Sequence, residues 1–431
     1  MGWGCAVKVR TELLDTGNAI SYAPALPDAD VLMIDGPAMT RSGAVGTRPA
    51  FHIAQHILKL APDTTKTIIV CFDCPARVPA VRHAVHVVRA AAGPVPVTIS
   101  DAVLGAATIG SLGKMESGAD LTWPELFSTP RGKARAYELL YEAFKQQLTL
   151  LLAAKTGSPP QELSEAEVQF AGVVTSPATG EFWSTGDKTE FAPDLAFPYG
   201  EAEAQLTMCV AGHHTRHPGS KINVLTIDTD ILLQVGLTPA IDSSAVTIAL
   251  ARVWKNDDVT VRVNATGRKR QKAEQLTQQW ELVCGNALAA MASRPSLFFY
   301  LAAGGVDYCG GLGGFGWPQK ACIAIAQESQ SVGIARIFAD ERTLDVAALA
   351  KVLGARRKSK RRNTDVAAFC EELDSLVFCW RYYMWQDATR PGIAGPEKQK
   401  LFKPFGATTI VEWLANASGT VAIHESVGAS K

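Results

Sequence analysis

The chain has 431 residues, 47% of them hydrophobic and 19% charged, with 42 basic residues against 42 acidic ones. That apolar content supports a large buried core and excludes wholesale disorder. The charge balance excludes a uniformly basic nucleic-acid coat and a strongly acidic tail, and leaves local patches to decide partners. No apolar run reaches the roughly 18 residues that cross a bilayer, so no membrane partner is expected. The opening MGWGCAVKVRTELLD lacks an apolar core of signal-peptide length and carries Ala6 where an acylation signal has Ser or Thr. Nine scattered cysteines, an odd number, suit reduced thiols and an intracellular location.

In chain order, VLMI (31–34) is predicted as a short strand with two apolar faces. A helix follows at 50–61, with Ile53, Ile57 and Leu60 at helical spacing, and then a second apolar strand, TIIVCF (67–72). Residues 92–132 are rich in Gly, Ser and Pro and are expected to form a long excursion. A helix is predicted over 133–154, where Tyr137, Leu140, Phe144, Leu148 and Leu151 make one core-facing stripe. Residues 168–184 pattern as a hairpin turning at 177–180, and INVLTI (222–227) as a third apolar strand. A second excursion, 251–272, holds the hairpin VTIALARVW/DDVTVRVN and the basic run GRKRQK. SLFFYLAAGGV (296–306) is a strand or the end of a helix, and the chain beyond 320 is expected to be mainly helical. Strands apolar on both faces, alternating with helices, predict an α/β fold whose mainly parallel sheet is covered by helices.

Four apolar runs end in an acid, at Asp35, Asp73, Asp228 and Asp307. Ligands of open α/β sheets bind outside the carboxyl ends of the strands, so these acids are expected in one crevice. Asp230 lies two residues beyond Asp228 and points the same way on extended chain. Glu201 and Glu203 open a helical stretch after Pro198 and Gly200, where the helix dipole favours anions. Seven carboxylates together repel one another and raise their own pKa values unless divalent cations neutralise them. Oxygen donors with little thiol or imidazole nearby imply Mg²⁺ or Mn²⁺.

These segments resemble the flap endonuclease/XPG-type 5′-nucleases, a family with a PIN-like fold. MGWG is similar to the family's opening, LMIDGPAM and VCFDCPA to its first two acid motifs, and YGEAEAQL to its acidic helix. LTIDTDIL is similar to the next strand, and AAGGVDYCGGLGGFG to the Gly-rich block after it. The resemblance covers roughly 1–90 and 195–330 and implies a nuclease core there. It also implies an arch-like or cap-like insertion at 92–194 and a helical extension at 331–431. It implies two Mg²⁺ or Mn²⁺ ions, one among Asp35, Asp73, Glu201 and Glu203, the other completed by Asp228, Asp230 and Asp307. A helix–two-turn–helix over 310–320, with Gly311, Gly313, Gly316 and Lys320, would grip nucleic-acid backbone and take a K⁺ ion. The implied activity is two-metal hydrolysis of phosphodiester bonds, foremost as a structure-specific endo- or exonuclease on DNA flaps. The same fold serves viral messenger-RNA shut-off nucleases, so an RNA endonuclease is the rival reading. A non-catalytic nucleic-acid-binding or structural subunit is a third.

Arg82, Arg89, Arg131, Lys133 and Arg135 are the remaining candidates for nucleic-acid contact. Trp123, Phe127 and Trp183 either stack on unpaired bases or pack against the 133–154 helix. RRKSKRR (356–362) fits a nuclear localisation signal, a phosphate-binding patch or a solvated face equally. Nuclear location is one option and the virion another for a viral member. KQKLFKPFG (398–406) is a weak match to a sliding-clamp peptide. Cys71 and Cys74, and the Gly311–Gly313–Gly316 spacing, make isolated zinc and dinucleotide patterns with no supporting partner. His213, His214 and His217 are expected in a solvated loop.

Overall fold

The computed structural model describes residues 20–44, 46–74, 98–156, 170–185, 202–228, 230–237, 241–255, 260–262, 277–292, 338–340 and 343–344. Strand β1 (Ile20–Ala23) leads to β2 (Val31–Asp35), helices α1 (Gly36–Gly43) and α2 (Ala50–Leu58), and β3 (Thr67–Cys71). Helices α3 (Asp101–Ala106), α4 (Trp123–Ser128) and α5 (Pro130–Thr156) follow, then the β4 (Ala171–Thr175) and β5 (Phe182–Ser184) hairpin. After α6 (Ala202–Arg216) come β6 (Ile222–Leu225), α7 (Asp230–Leu237) and a 3-10 turn at Ser243–Ala245. Strands β7 (Val246–Lys255), β8 (Thr260–Arg262) and β9 (Thr277–Val283) precede α8 (Gly285–Ala292). A separate ribbon joins β10 (Phe338–Asp340) to β11 (Thr343–Leu344).

The sheet has nine strands in the order β1-β9-β7-β6-β2-β3-β4-β5, with β8 against β7. β7, β6, β2, β3 and β4 run parallel, while β9, β1 and β5 extend the sheet antiparallel. This is the α/β architecture expected, and the cause is visible in the strands. Every residue of β2, β3, β4 and β6 is buried, as two covered faces require. The chain runs outward from β2 through β3 to β4, then returns to set β6 on the other side of β2. Strand order therefore reverses at β2, where open α/β sheets form their crevice.

The opposite, amino-terminal edge is fastened by Asp30. Its carbonyl accepts the Lys66 and Thr67 N–H groups at 2.8 and 3.1 Å, and its own N–H donates to the Lys221 carbonyl at 2.9 Å. Its carboxylate accepts the Lys221 N–H at 3.1 Å. One residue thereby ties the starts of β2, β3 and β6.

The 92–194 segment differs from expectation. β4 pairs in parallel with β3 inside the central sheet, and α5 supplies core residues, so this stretch contains much of the domain's own interior. The stripe on α5 explains why. Tyr137, Leu140, Phe144 and Leu148 are fully buried, and the Phe72 ring lies 5.8 Å from Tyr137 and 5.9 Å from Phe144. Trp123 is also fully buried, and its indole N–H donates to the Arg48 carbonyl at 2.7 Å. Phe127 stacks on Trp123 at 5.9 Å, and Trp183 is partly buried against the same core. These aromatics pack rather than stand ready for bases. Of the mainly helical part expected beyond 320, the described residues are the β10–β11 ribbon alone; 356–362 and 398–406 lie outside them.

The histidine cluster also departs from expectation. His213 and His214 are buried in the last turn of α6, not set in a solvated loop. His213 Nε2 shares a 2.9 Å hydrogen bond with Ser220 Oγ, and its ring lies 4.7 Å from that of His217. Burial lowers the His213 pKa from 6.5 to about 4, with neighbouring charge on His217 and His214 adding to the effect. The folded chain thus resists a proton that the unfolded chain accepts. This contribution to stability is complete above pH 6.5 and is lost as pH falls through about 4. Denaturant midpoints should drop between about pH 7 and pH 4.5, and His213→Gln should flatten part of that drop. A variant profile parallel to wild type would show that other groups carry the acid sensitivity.

Candidate active site

Three of the expected acids meet at the carboxyl edge, beside the reversal in strand order. Asp35 ends β2, Asp73 follows β3, and Asp228 follows β6. β2 lies between the other two strands, so Asp35 sits between Asp73 and Asp228. Local structure holds each in place. Asp35 caps α1, accepting the Ala38 N–H at 3.0 Å on one oxygen and the Thr226 hydroxyl at 2.8 Å on the other. Thr226 Oγ1 in turn accepts the Asp228 N–H at 3.0 Å, so one hydroxyl orients both acids. Asp73 accepts the Ala202 N–H at 3.2 Å, which draws the start of α6 onto the crevice. Gln205 of α6 donates to the Phe72 carbonyl at 3.2 Å and fixes the same helix to the end of β3.

Gly36 is required by this crowding. A Cβ there would stand 2.8 Å from the Cys71 carbonyl and 2.9 Å from the Phe72 ring, so only glycine lets α1 start directly after Asp35.

Glu203 is buried in the first turn of α6, and Asp230 is the first residue of α7. Glu201 and Asp307 lie outside the described residues, as do Arg82, Arg89, Gly311, Gly313, Gly316 and Lys320. Among the described residues, no group of three or more His, Cys, Asp or Glu side chains is arranged to hold a metal ion. The donors that line the crevice are nonetheless carboxylate oxygens, which match a hard divalent cation in kind.

Electrostatics set Asp35 apart. Burial pushes its carboxyl up to about 7, and the charges of Asp73 and Asp228 push the same way. The Ala38 N–H and the Thr226 hydroxyl oppose that rise without cancelling it.

The crevice also has cations of its own. Lys133 of α5 brings its ammonium to 4.0 Å from Asp73 and 5.3 Å from the centre of the Tyr137 ring. Arg41 of α1 donates from Nη2 to the Tyr137 hydroxyl at 3.0 Å, with its guanidinium carbon 5.8 Å from the centre of Phe127. Its charge interacts with Asp73 and Asp35. Sequence reasoning missed Arg41. The available signal was small: one basic residue in a short helix that starts from a strand-end acid.

Of the basic trio on α5, Lys133 alone is placed at the crevice. Arg131 pairs with Asp101 at the exposed surface. Arg135 donates to the Leu104 and Ala107 carbonyls at 3.1 and 2.7 Å, and to Glu138 at 3.1 Å. Its fork holds the end of α3 and is thereby occupied. Compared with known families and with curated proteins, the chain matches no family and no protein.

Two stability outcomes follow. Asp35 has a folded pKa near 7, above its unfolded 3.8, so its contribution is fully present below 3.8 and is lost as pH rises through 7. Asp35→Asn keeps an acceptor for Ala38 and removes the buried charge. It should leave stability near wild type below about pH 4 and raise it at about pH 8, by on the order of 1–3 kcal/mol. Equal effects at both pH values would contradict the burial argument. Arg135→Ala strips two carbonyls of a charged donor and should cost about 1–3 kcal/mol in denaturant unfolding, as a loss of fold rather than of binding.

Proposed function

We propose that this chain is a metal-dependent phosphodiesterase acting on nucleic acid, with the PIN-like fold of the flap endonuclease/XPG-type nucleases that its motifs resemble. The observation that carries this reading is the meeting of Asp35, Asp73 and Asp228 at the strand-order reversal, with the Asp35 and Asp73 carboxylates held by backbone or hydroxyl donors and the Asp228 N–H held by the Thr226 hydroxyl oxygen. A purely structural chain gains nothing from self-repelling carboxylates placed where ligands bind.

In this reading a cation would be held jointly by Asp35, Asp73 and Asp228 together with Glu201, Glu203, Asp230 and Asp307, the set the resemblance implies. A Mg²⁺ or Mn²⁺ ion held there would supply an acidified water for attack and charge stabilisation for the leaving oxygen. The chain's own residues prepare for this. Thr226 keeps the Asp35 and Asp228 segments in register, since its one hydroxyl touches both. The Ala202 N–H aims Asp73, and Lys133 offsets part of the negative charge that an anionic substrate meets on approach.

A structure-specific 5′ nuclease on DNA flaps is the first substrate reading. An RNA endonuclease is the second, favoured by one observation: of the three basic residues at the start of α5, Arg131 and Arg135 have partners within the fold and Lys133 alone reaches the crevice. Cleavage of matched DNA 5′ flaps and RNA hairpins in Mg²⁺ and in Mn²⁺ decides between them. Turnover should vanish in excess chelator and in Asp228→Asn, while that variant melts at or above the wild-type temperature because like-charge repulsion is relieved. Turnover that survives either treatment would end the metal-dependent reading.

A further inference from the structure

The Arg41 guanidinium is unusual for a charge beside buried acids. Among the described residues its one hydrogen bond goes to a neutral phenol, and no carboxylate lies within ion-pair distance of it. A guanidinium carries five N–H donors, so most of Arg41's donor capacity is left to solvent or ligand. The residue itself is exposed.

Its position is nevertheless fixed. Tyr137, fully buried, presents its hydroxyl to Nη2, and the Phe127 ring lies beneath the guanidinium carbon. Phe127 is held in turn, 5.9 Å from Tyr137 and stacked 5.9 Å from the buried Trp123. Burial raises the Tyr137 pKa, so the hydroxyl keeps its proton and remains an acceptor that adds no charge. Lys133 approaches the same Tyr137 ring from α5 while reaching Asp73. Two cations from two helices thus converge on one tyrosine, at the border of the carboxylate crevice. A planar fork preorganised in this way suits two-point contact with phosphate oxygens, which a compact ammonium does not provide.

We propose that Arg41, positioned by Tyr137 and Phe127 and flanked by Lys133, grips a backbone phosphate of the nucleic-acid strand entering the crevice. The proposal rests on the phosphodiesterase reading for its substrate class. It adds what that reading does not specify: the strand is anchored from α1 through phosphate rather than base.

The test is fluorescence anisotropy with a roughly 20-nucleotide fluorescein-labelled oligothymidylate, in excess chelator so that no cleavage occurs, at several salt concentrations. Thermal melting of each variant checks its fold. Arg41→Gln should weaken binding about tenfold and flatten the salt dependence by about one unit of slope. Arg41→Lys should keep the slope and lose most of the same affinity, since an ammonium cannot hold Tyr137 and two phosphate oxygens together. Tyr137→Phe should keep the slope and lose part of the affinity, as a positioning role requires. A methylphosphonate oligothymidylate with a neutral backbone should bind wild type and Arg41→Gln alike.

Unchanged affinity and slope in Arg41→Gln would overturn the proposal, as would a wild type that does not bind the oligothymidylate. A loss that persists on the neutral backbone would overturn it too, by placing Arg41 on a base or sugar. If Arg41-dependent binding holds but no nucleic acid is cleaved in Mg²⁺ or Mn²⁺, the hydrolytic reading fails and the phosphate grip stands. If cleavage occurs and the Arg41 variants bind normally, the grip fails alone.

Discussion

A carboxyl group removed from water must be held by donors, and the arrangement around Asp35 follows from that requirement. The Ala38 N–H reaches it only if a helix begins at the next residue, and that helix begins there only because Gly36 has no side chain to strike Cys71 and Phe72. The second donor, Thr226, reaches it only if β6 lies directly beside β2. Serving one buried acid therefore fixes where α1 starts, which strand neighbours β2, and how Asp228 enters the crevice. The reversal in strand order and the gathering of acids are two aspects of one packing solution.

The parts of this fold legible in the sequence were those whose physics is local. β2, β3 and β6 announce themselves because two covered faces demand unbroken apolar runs, and α5 because its stripe repeats at helical spacing. β9 was missed because its segment TQQWELV is half polar, yet it pairs along most of β7. Its strand character comes from that neighbour rather than from its own residues. α3 and α4 were hidden in a Gly-, Ser- and Pro-rich stretch, where short helices survive by capping. Ser100 caps α3, and Thr122 with Glu125 forms a capping box on α4. The T-x-x-E spacing of that box was a readable sign.

The site divides along the same line. Acids at strand ends can be found by scanning for apolar runs that stop at a carboxylate. Arg41 cannot, because its role depends on a tyrosine ninety-six residues away on another helix. Arg131 and Arg135 show the converse. Basic side chains near a helix start look available until tertiary structure supplies Asp101 and the α3 carbonyls as their partners. Trp123 makes the same point for aromatics, since an indole that could have met a base closes the interior against Arg48 instead.

The Asp30 fastening gives the two edges of the sheet separate duties. Strand alignment is locked at the amino-terminal edge, largely by main-chain groups that no side-chain substitution removes. The carboxyl edge, where the Asp35–Thr226 contact adds one tie between β2 and β6, is thereby spared most of the work of aligning strands. Its acids can be lost, exchanged or retuned over evolutionary time while β2, β3 and β6 stay in register. Such a chain can change or lose what that edge binds and still fold.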